Sequence, residues 1–178
     1  MDVVKDKSTK LYCLIYGSTQ AVEMKKITKG ISPEDLQYYI YQLLLCLQYT
    51  HSKKIMHRDI KTGNIVINKE TKQLNVIDWG LAEYYIKGYE YNIRVGSRYY
   101  KAPELLLNYQ SYDYAIDMWS VGCIFAGVIF QRDFFFKGED LSDQLYKVAS
   151  VLGGHHVIEF LGKYKSTLKV AERVRIEK

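Results

Sequence analysis

Three side chains able to manage a phosphate and a metal stand close together in this chain of 178 residues: Asp59, Asn64 and Asp78. Asp59 and Asn64 lie in His57-Arg58-Asp59-Ile60-Lys61-Thr62-Gly63-Asn64, and Asp78 opens Asp78-Trp79-Gly80 fourteen residues after Asn64. A carboxylate five residues before an amide lets one loop carry both an acceptor for a hydroxyl proton and an oxygen ligand for magnesium. A carboxylate at the head of the next loop can hold that metal against the phosphates of a nucleotide. Phosphoryl transfer requires these types, because an in-line hydroxyl needs an acceptor and crowded phosphate oxygens need cations. One triplet arises easily by chance. The ordered set, continued by Ala102-Pro103-Glu104 and by Asp117-Met118-Trp119-Ser120-Val121-Gly122, does not.

Loops of this kind need a frame to hold them. Val3-Val4 and Leu11 to Tyr16 predict two strands joined by the polar turn Lys5 to Lys10. Ser32-Pro33-Glu34-Asp35 predicts a helix start: Ser32 caps, Pro33 suits the first turn, and the acids favour the positive end of the dipole. Leu36, Ile40, Leu43 and Leu47 recur every three or four residues, so this helix lays one face on a core and ends near His51. Ile65-Val66-Ile67 and Leu74 to Ile77 predict a hairpin about the charged turn Asn68 to Lys72. Such a hairpin separates the two metal-binding loops in sequence and keeps them adjacent in space. Residues 78–104 read as a long, polar, tyrosine-rich loop, and long loops in compact domains usually carry function. A helix over 115–130 is apolar nearly all round, which predicts burial at the centre of the fold. Residues 141–152 predict a further amphipathic helix ended by Gly153-Gly154, and residues 163–178 a frayed helix or tail. There is no internal repeat.

Composition sets wider bounds. The length suffices for one domain with a substantial core, and the 48% apolar fraction is ordinary for a globular chain. Seventeen tyrosines are unusual, and amphipathic packing with compositional bias accounts for them. A formal charge of +5 mildly favours acidic partners without separating a nucleic acid from an acidic protein. Cys13, Cys46 and Cys123 are widely spaced in apolar surroundings, as expected of core thiols in a reducing compartment. No basic-then-apolar leader opens the chain, and the longest apolar stretch, 119–130, is too short to span a bilayer. A soluble, intracellular protein is the expectation.

Longer strings carry a resemblance. Ile77-Asp78-Trp79-Gly80-Leu81-Ala82-Glu83 has tryptophan where phenylalanine is usual. It is joined by Glu90-Tyr91-Asn92-Ile93-Arg94-Val95, Ser97-Arg98-Tyr99-Tyr100-Lys101 and Tyr109-Gln110-Ser111-Tyr112-Asp113-Tyr114. Upstream, His51-Ser52 and Ile55-Met56-His57-Arg58-Asp59 continue the match. On these residues the chain resembles eukaryotic-type serine/threonine protein kinases, and among them the catalytic alpha subunits of casein kinase II, from about Asp2 to about Tyr164. The resemblance implies an α+β, kinase-like fold: a mainly helical C-terminal lobe with remnant strands of the N-terminal lobe. Residues 1–164 would form a partial kinase domain, hinge and large lobe, and residues 165–178 a divergent C-terminal tail. The glycine-rich loop, strand lysine and helix glutamate of that family have no counterpart here, and Gly17 stands alone. The last helices, with the arginine expected to pair with Glu104, also lack a counterpart. Thr62-Gly63 replaces the usual proline after Lys61, which should loosen the loop.

Roles follow by resemblance. Asp59, on its own readable as a solvated loop acid, would orient the hydroxyl as base, and Lys61, otherwise a surface lysine, would contact the transferring phosphate. Asn64 and Asp78 would hold magnesium. Tyr16, Gly17, Ser18 and Thr19 match the hinge that meets the adenine, with Val66 and Ile77 as the floor, although both also suit simple strand core. Arg94, Arg98 and Lys101 would dock acidic residues that follow the acceptor, or else be solvated surface. Trp79 would pack, Ser97 would be structural near Glu104, and Asp117 would hydrogen-bond the catalytic-loop backbone from the buried helix. Ser97 is the only Ser or Thr between Asp78 and Glu104, so control by loop phosphorylation is not expected. His155-His156 reads as surface. The implied activity is ATP-dependent (or GTP-dependent) phosphorylation of Ser/Thr near acidic residues, with Mg, in the cytoplasm or nucleus. Acidic protein substrates are the expected partners, with no membrane, no direct nucleic acid, and a regulatory beta subunit in doubt. The alternative is an inactive kinase-lobe remnant that binds acidic peptides or a protein partner.

Overall fold

The computed structural model describes residues 2–15, 17 and 20–164. A hairpin of β1 (Asp2–Lys5) and β2 (Tyr12–Ile15) comes first, its turn tied by Asp6, whose carboxylate takes the Ser8 and Thr9 amides. Both faces of this hairpin lie in water, with Val3, Val4, Tyr12, Leu14 and Ile15 all exposed. β3 (Ala21–Glu23) pairs antiparallel with β5 (Ile65–Asn68), and β5 with β6 (Leu74–Val76). Ile65 and Ile67 of β5 are fully buried while Val66 and Asn68 are half-buried, as the two-residue alternation of a strand demands. β4 (Ile55–Met56) pairs with β7 (Glu83–Tyr84), a contact with no signature in the sequence that brings the two candidate catalytic loops together.

Helix α1 (Pro33–Ser52) begins as its sequence predicts: the Ser32 hydroxyl accepts from the Asp35 amide at 3.1 Å. Leu36, Tyr39, Leu43 and Leu47 form its buried face, one turn apart, and burial of each aliphatic member stabilises the fold by about 1.5–3 kcal/mol. They meet Ile60, Ile65, Ile67, Val121, Ile124 and Leu145 in the main core. A second cluster of Met56, Tyr91, Val95, Ala102, Leu105, Tyr112 and Ile116 lies beneath the long loop. That loop is less irregular than its composition suggests. It contains β7, 3-10 turns at Trp79–Leu81 and Arg98–Tyr100, and α2 (Pro103–Leu106).

Two expectations need correction. Helix α3 (Ala115–Ile129) buries Ile116, Asp117, Val121, Ile124 and Val128, yet Met118, Phe125 and Ile129 are exposed. An apolar sequence reports what a helix can bury, not what covers it. Helix α4 (Leu141–Leu152), capped by Asp140, ends at Gly153, whose φ of 96° glycine adopts without strain. Gly154 does not extend the break but opens α5 (Gly154–Tyr164), so a single residue suffices to redirect the chain. His155 and His156 are exposed, ring against ring at 3.9 Å. No described helix is long and apolar enough to cross a membrane. The expected tail, 165–178, lies outside the described residues.

Candidate active site

Asp117, in the first turn of α3, is 1% exposed, and a polar side chain buried there needs hydrogen-bond partners. Its carboxylate accepts the His57 and Arg58 amides at 2.9 and 2.8 Å, and His51 Nε2 lies 2.9 Å away. This fastens the start of the loop after β4, where Arg58 has a φ of 67°, a conformation that bulky side chains rarely hold unaided. His57 is fully buried. Its Nδ1 accepts the Asp59 amide at 3.2 Å and its Nε2 donates to the Ile77 carbonyl at 3.1 Å, a pair that requires the neutral ring. Burial pushes the pKa of this imidazole below its ordinary value, in the same direction. Trp79 sets its ring edge-on to His57 at 4.5 Å and donates Nε1 to the Val76 carbonyl, so it packs as expected.

Asp59, 7% exposed, is held from both oxygens. Oδ2 takes Lys61 Nζ at 2.7 Å and Asn64 Nδ2 at 3.0 Å, while Oδ1 takes the Ser97 amide at 2.9 Å and the Ser97 hydroxyl at 2.8 Å. Lys61 also donates to Ser97 Oγ at 3.1 Å. The Asn64 amide nitrogen is spent on Asp59, including its carbonyl at 2.9 Å, which leaves the Asn64 side-chain oxygen as acceptor. The Ile77 amide donates to the Asn64 carbonyl at 2.9 Å and so sets Asp78 beside this loop. Asp78 is exposed at a φ of 63°, which a short acid tolerates. One carboxylate and one amide oxygen suit magnesium, a hard ion that keeps several waters and phosphate oxygens as ligands. Among the described residues no cluster of three His, Cys, Asp or Glu side chains could hold an ion without such help.

Val66 and Ile77 fall on the less buried side of β5 and just past β6, with Ile77 41% exposed, so both are free to line a cleft. Gly17 is exposed with open space around it. Tyr16, Ser18 and Thr19 lie outside the described residues.

The three basic residues of the long loop part company. Arg94 is exposed. Arg98 is half-buried, donates to the Glu139 carbonyl and lies 5.2 Å over the Tyr99 ring. Lys101, expected at the docking surface, is 7% exposed, and its ammonium donates to the carbonyls of Ile93 and Val95. Burial lowers its pKa. It ties the loop to itself, and carbonyls occupy the donors a peptide would need. Arg58 is likewise committed, through Nε to the Leu81 carbonyl at 2.6 Å and through NH1 to Tyr112 at 3.1 Å. Ser97, expected to be merely structural, is bonded to Asp59 through both its amide and its hydroxyl. Nothing local announces this, because the partners are 38 residues apart.

Glu104 is half-buried, and no ion pair engages it among the described residues. Burial raises its carboxyl pKa above the ordinary range, and Asp113 adds to the rise. An acid whose pKa rises on folding stabilises the fold below its unfolded value and loses that contribution as pH climbs through the folded one. Glu104→Gln is therefore expected to raise Tm by an amount that grows from about pH 4.5 upward and vanishes below it. Thermal melts of both proteins across pH 4 to 8 check this, and a pH-independent difference would contradict it.

Residues 1–173 match the protein kinase domain family. Over 168 residues the chain is 48% identical to a probable serine/threonine-protein kinase of Dictyostelium discoideum, covering 94% of this chain and 28% of that protein. Over 163 residues it is 47% identical to casein kinase II subunit alpha' of Saccharomyces cerevisiae, covering 92% of this chain and 48% of that protein. The chain thus spans about half the length, or less, of these curated relatives.

Proposed function

Because this chain belongs to the protein kinase family, with serine/threonine kinases as relatives, we propose that it serves ATP-dependent phosphorylation of serine or threonine beside acidic residues. The observation that supports this most is the four-sided hold on Asp59 by Lys61, Asn64 and both donors of Ser97. A carboxylate fixed so firmly can orient an incoming hydroxyl and accept its proton as the phosphoryl group leaves the nucleotide. Lys61 sits against the same carboxylate and would neutralise charge on the transferring phosphate. Asn64 and Asp78 would hold magnesium, which supplies charge neutralisation on the phosphates when bound. Arg94, exposed, and Arg98 through its unspent guanidinium nitrogens, favour a peptide with carboxylates after the acceptor. GTP would meet the same phosphate-handling groups as ATP.

A second reading applies to this polypeptide by itself. Ile77 is 41% exposed and Val66 half-buried, so the adenine floor they offer is open to water and would bind a nucleotide weakly. On that reading the 178-residue chain binds acidic peptides and transfers phosphate at or near background. The purified chain, given Mg-ATP and a serine peptide with downstream acids, separates the two. Phosphorylation that falls with added salt and is weaker on a neutral peptide supports the enzyme. Salt-sensitive peptide binding without transfer supports the second reading, and indifference to peptide charge sinks the acidic preference.

A further inference from the structure

The backbone N–H of Asn64 donates to the Lys61 carbonyl at 2.9 Å, closing a tight turn with Thr62 and Gly63 at its centre. The first central position of such a turn is where a proline ring would fix φ. Thr62 has no ring, yet its Oγ1 lies 3.0 Å from the hydroxyl of Tyr100. Tyr100 belongs to the 3-10 turn Arg98–Tyr100, is 7% exposed, and is anchored elsewhere by Ser120, which donates to its carbonyl at 2.9 Å. The residue before this turn, Ser97, is already bonded to Asp59. Segment 97–100 is therefore cross-linked to the catalytic loop at both ends, by Ser97 to Asp59 and by Tyr100 to Thr62, with Arg98 between.

We infer that the Thr62–Tyr100 hydroxyl pair is a positioning clamp, which sets the distance between the loop that handles the phosphate and the segment that seats the acceptor peptide. The pair acts through Lys61 and Asn64, Thr62's neighbours in the turn, and touches no substrate itself. A restraint from a partner across the site does what ring closure would do locally, and it adds something a ring cannot: it makes the two segments move together. Burial holds the Tyr100 phenol protonated, so it remains able to donate. Both residues also line a cavity of about 270 Å³ bounded by Ile124, Val128 and Phe134, so loss of either hydroxyl leaves room for relaxation and does not break a packed core.

The catalytic meaning of the clamp rests on the kinase reading, but its mechanical coupling does not, and the test reads both. Amide hydrogen exchange is followed in the 178-residue chain for Thr62→Val, Tyr100→Phe, the double variant and Thr62→Ser. Each of the first two is expected to speed exchange about fivefold at Asn64, Tyr100 and Lys101 alike, as for one lost hydrogen bond, with α3 amides unchanged. The double variant should be no faster than either single one, and Thr62→Ser should match the parent. In phosphotransfer assays, kcat for peptide should fall about fivefold with the ATP KM unmoved. Additive effects in the double variant, an unmoved 97–101 segment in Thr62→Val, or failure of Thr62→Ser to rescue would each overturn the clamp. If the parent chain transfers no phosphate, its reading as an enzyme fails, while the exchange data still decide the clamp.

Discussion

Phosphotransfer is expected to fall by about 10²–10⁴-fold in Asp59→Ala, the range typical for removal of a positioned general base. The hydroxyl loses its acceptor, and Lys61, Asn64 and Ser97 lose the carboxylate on which all three converge. The effect should fall on kcat, because none of the groups proposed to hold the nucleotide and metal is removed. Single-turnover transfer of labelled phosphate to a serine peptide measures it. The assay uses this chain. Ser97→Ala in the same assay should cost far less, since Asp59 keeps Lys61 and Asn64. Parent-like turnover in Asp59→Ala would remove the role assigned to this residue. A drop that is equally large in Ser97→Ala would mean that the carboxylate's placement, and not its basicity, limits the rate.

Asp117→Ala should produce the largest loss of stability of any single change in the site. The carboxylate satisfies two backbone N–H groups, of buried His57 and half-buried Arg58, and also contacts His51. Each buried donor left unpaired costs about 1–3 kcal/mol, so about 2–6 kcal/mol is expected from the two amides. For a domain of this size each kcal/mol moves Tm by about 2–4 °C, which places the expected drop between about 4 and 24 °C. The Arg58 backbone, at a φ of 67°, would then lose the bond that holds it there, so the catalytic loop should loosen before the helices melt. Met118→Ala, one residue along α3 on its exposed side, is the control and should change Tm little. A Tm loss in Asp117→Ala no larger than the control's would show that water or a loop shift replaces the lost acceptor.

The elements that carry the candidate residues were legible in the sequence, because the forces that set them act over a few residues. Ser32 and Pro33 start α1 by capping, Leu36, Leu43 and Leu47 choose its buried face by spacing, and Ile65 and Ile67 choose the buried side of β5 by alternation. That Asp117 needs donors was legible for a related reason, since an acid in an apolar helix must find them, whereas the loop amides as those donors came only from the kinase resemblance. Tertiary structure decided the rest. It turned Lys101 inward to the Ile93 and Val95 carbonyls, bent Arg98 to Glu139, and seated Ser97 on Asp59. A basic or hydroxyl side chain on a loop is equally competent for solvent, substrate or a backbone carbonyl, and its own neighbours do not choose among them. The choice is made by groups brought alongside from elsewhere, such as Asp59 for Ser97 and Tyr100 for Thr62, each 38 residues away, and only the folded chain puts them within 3 Å or so.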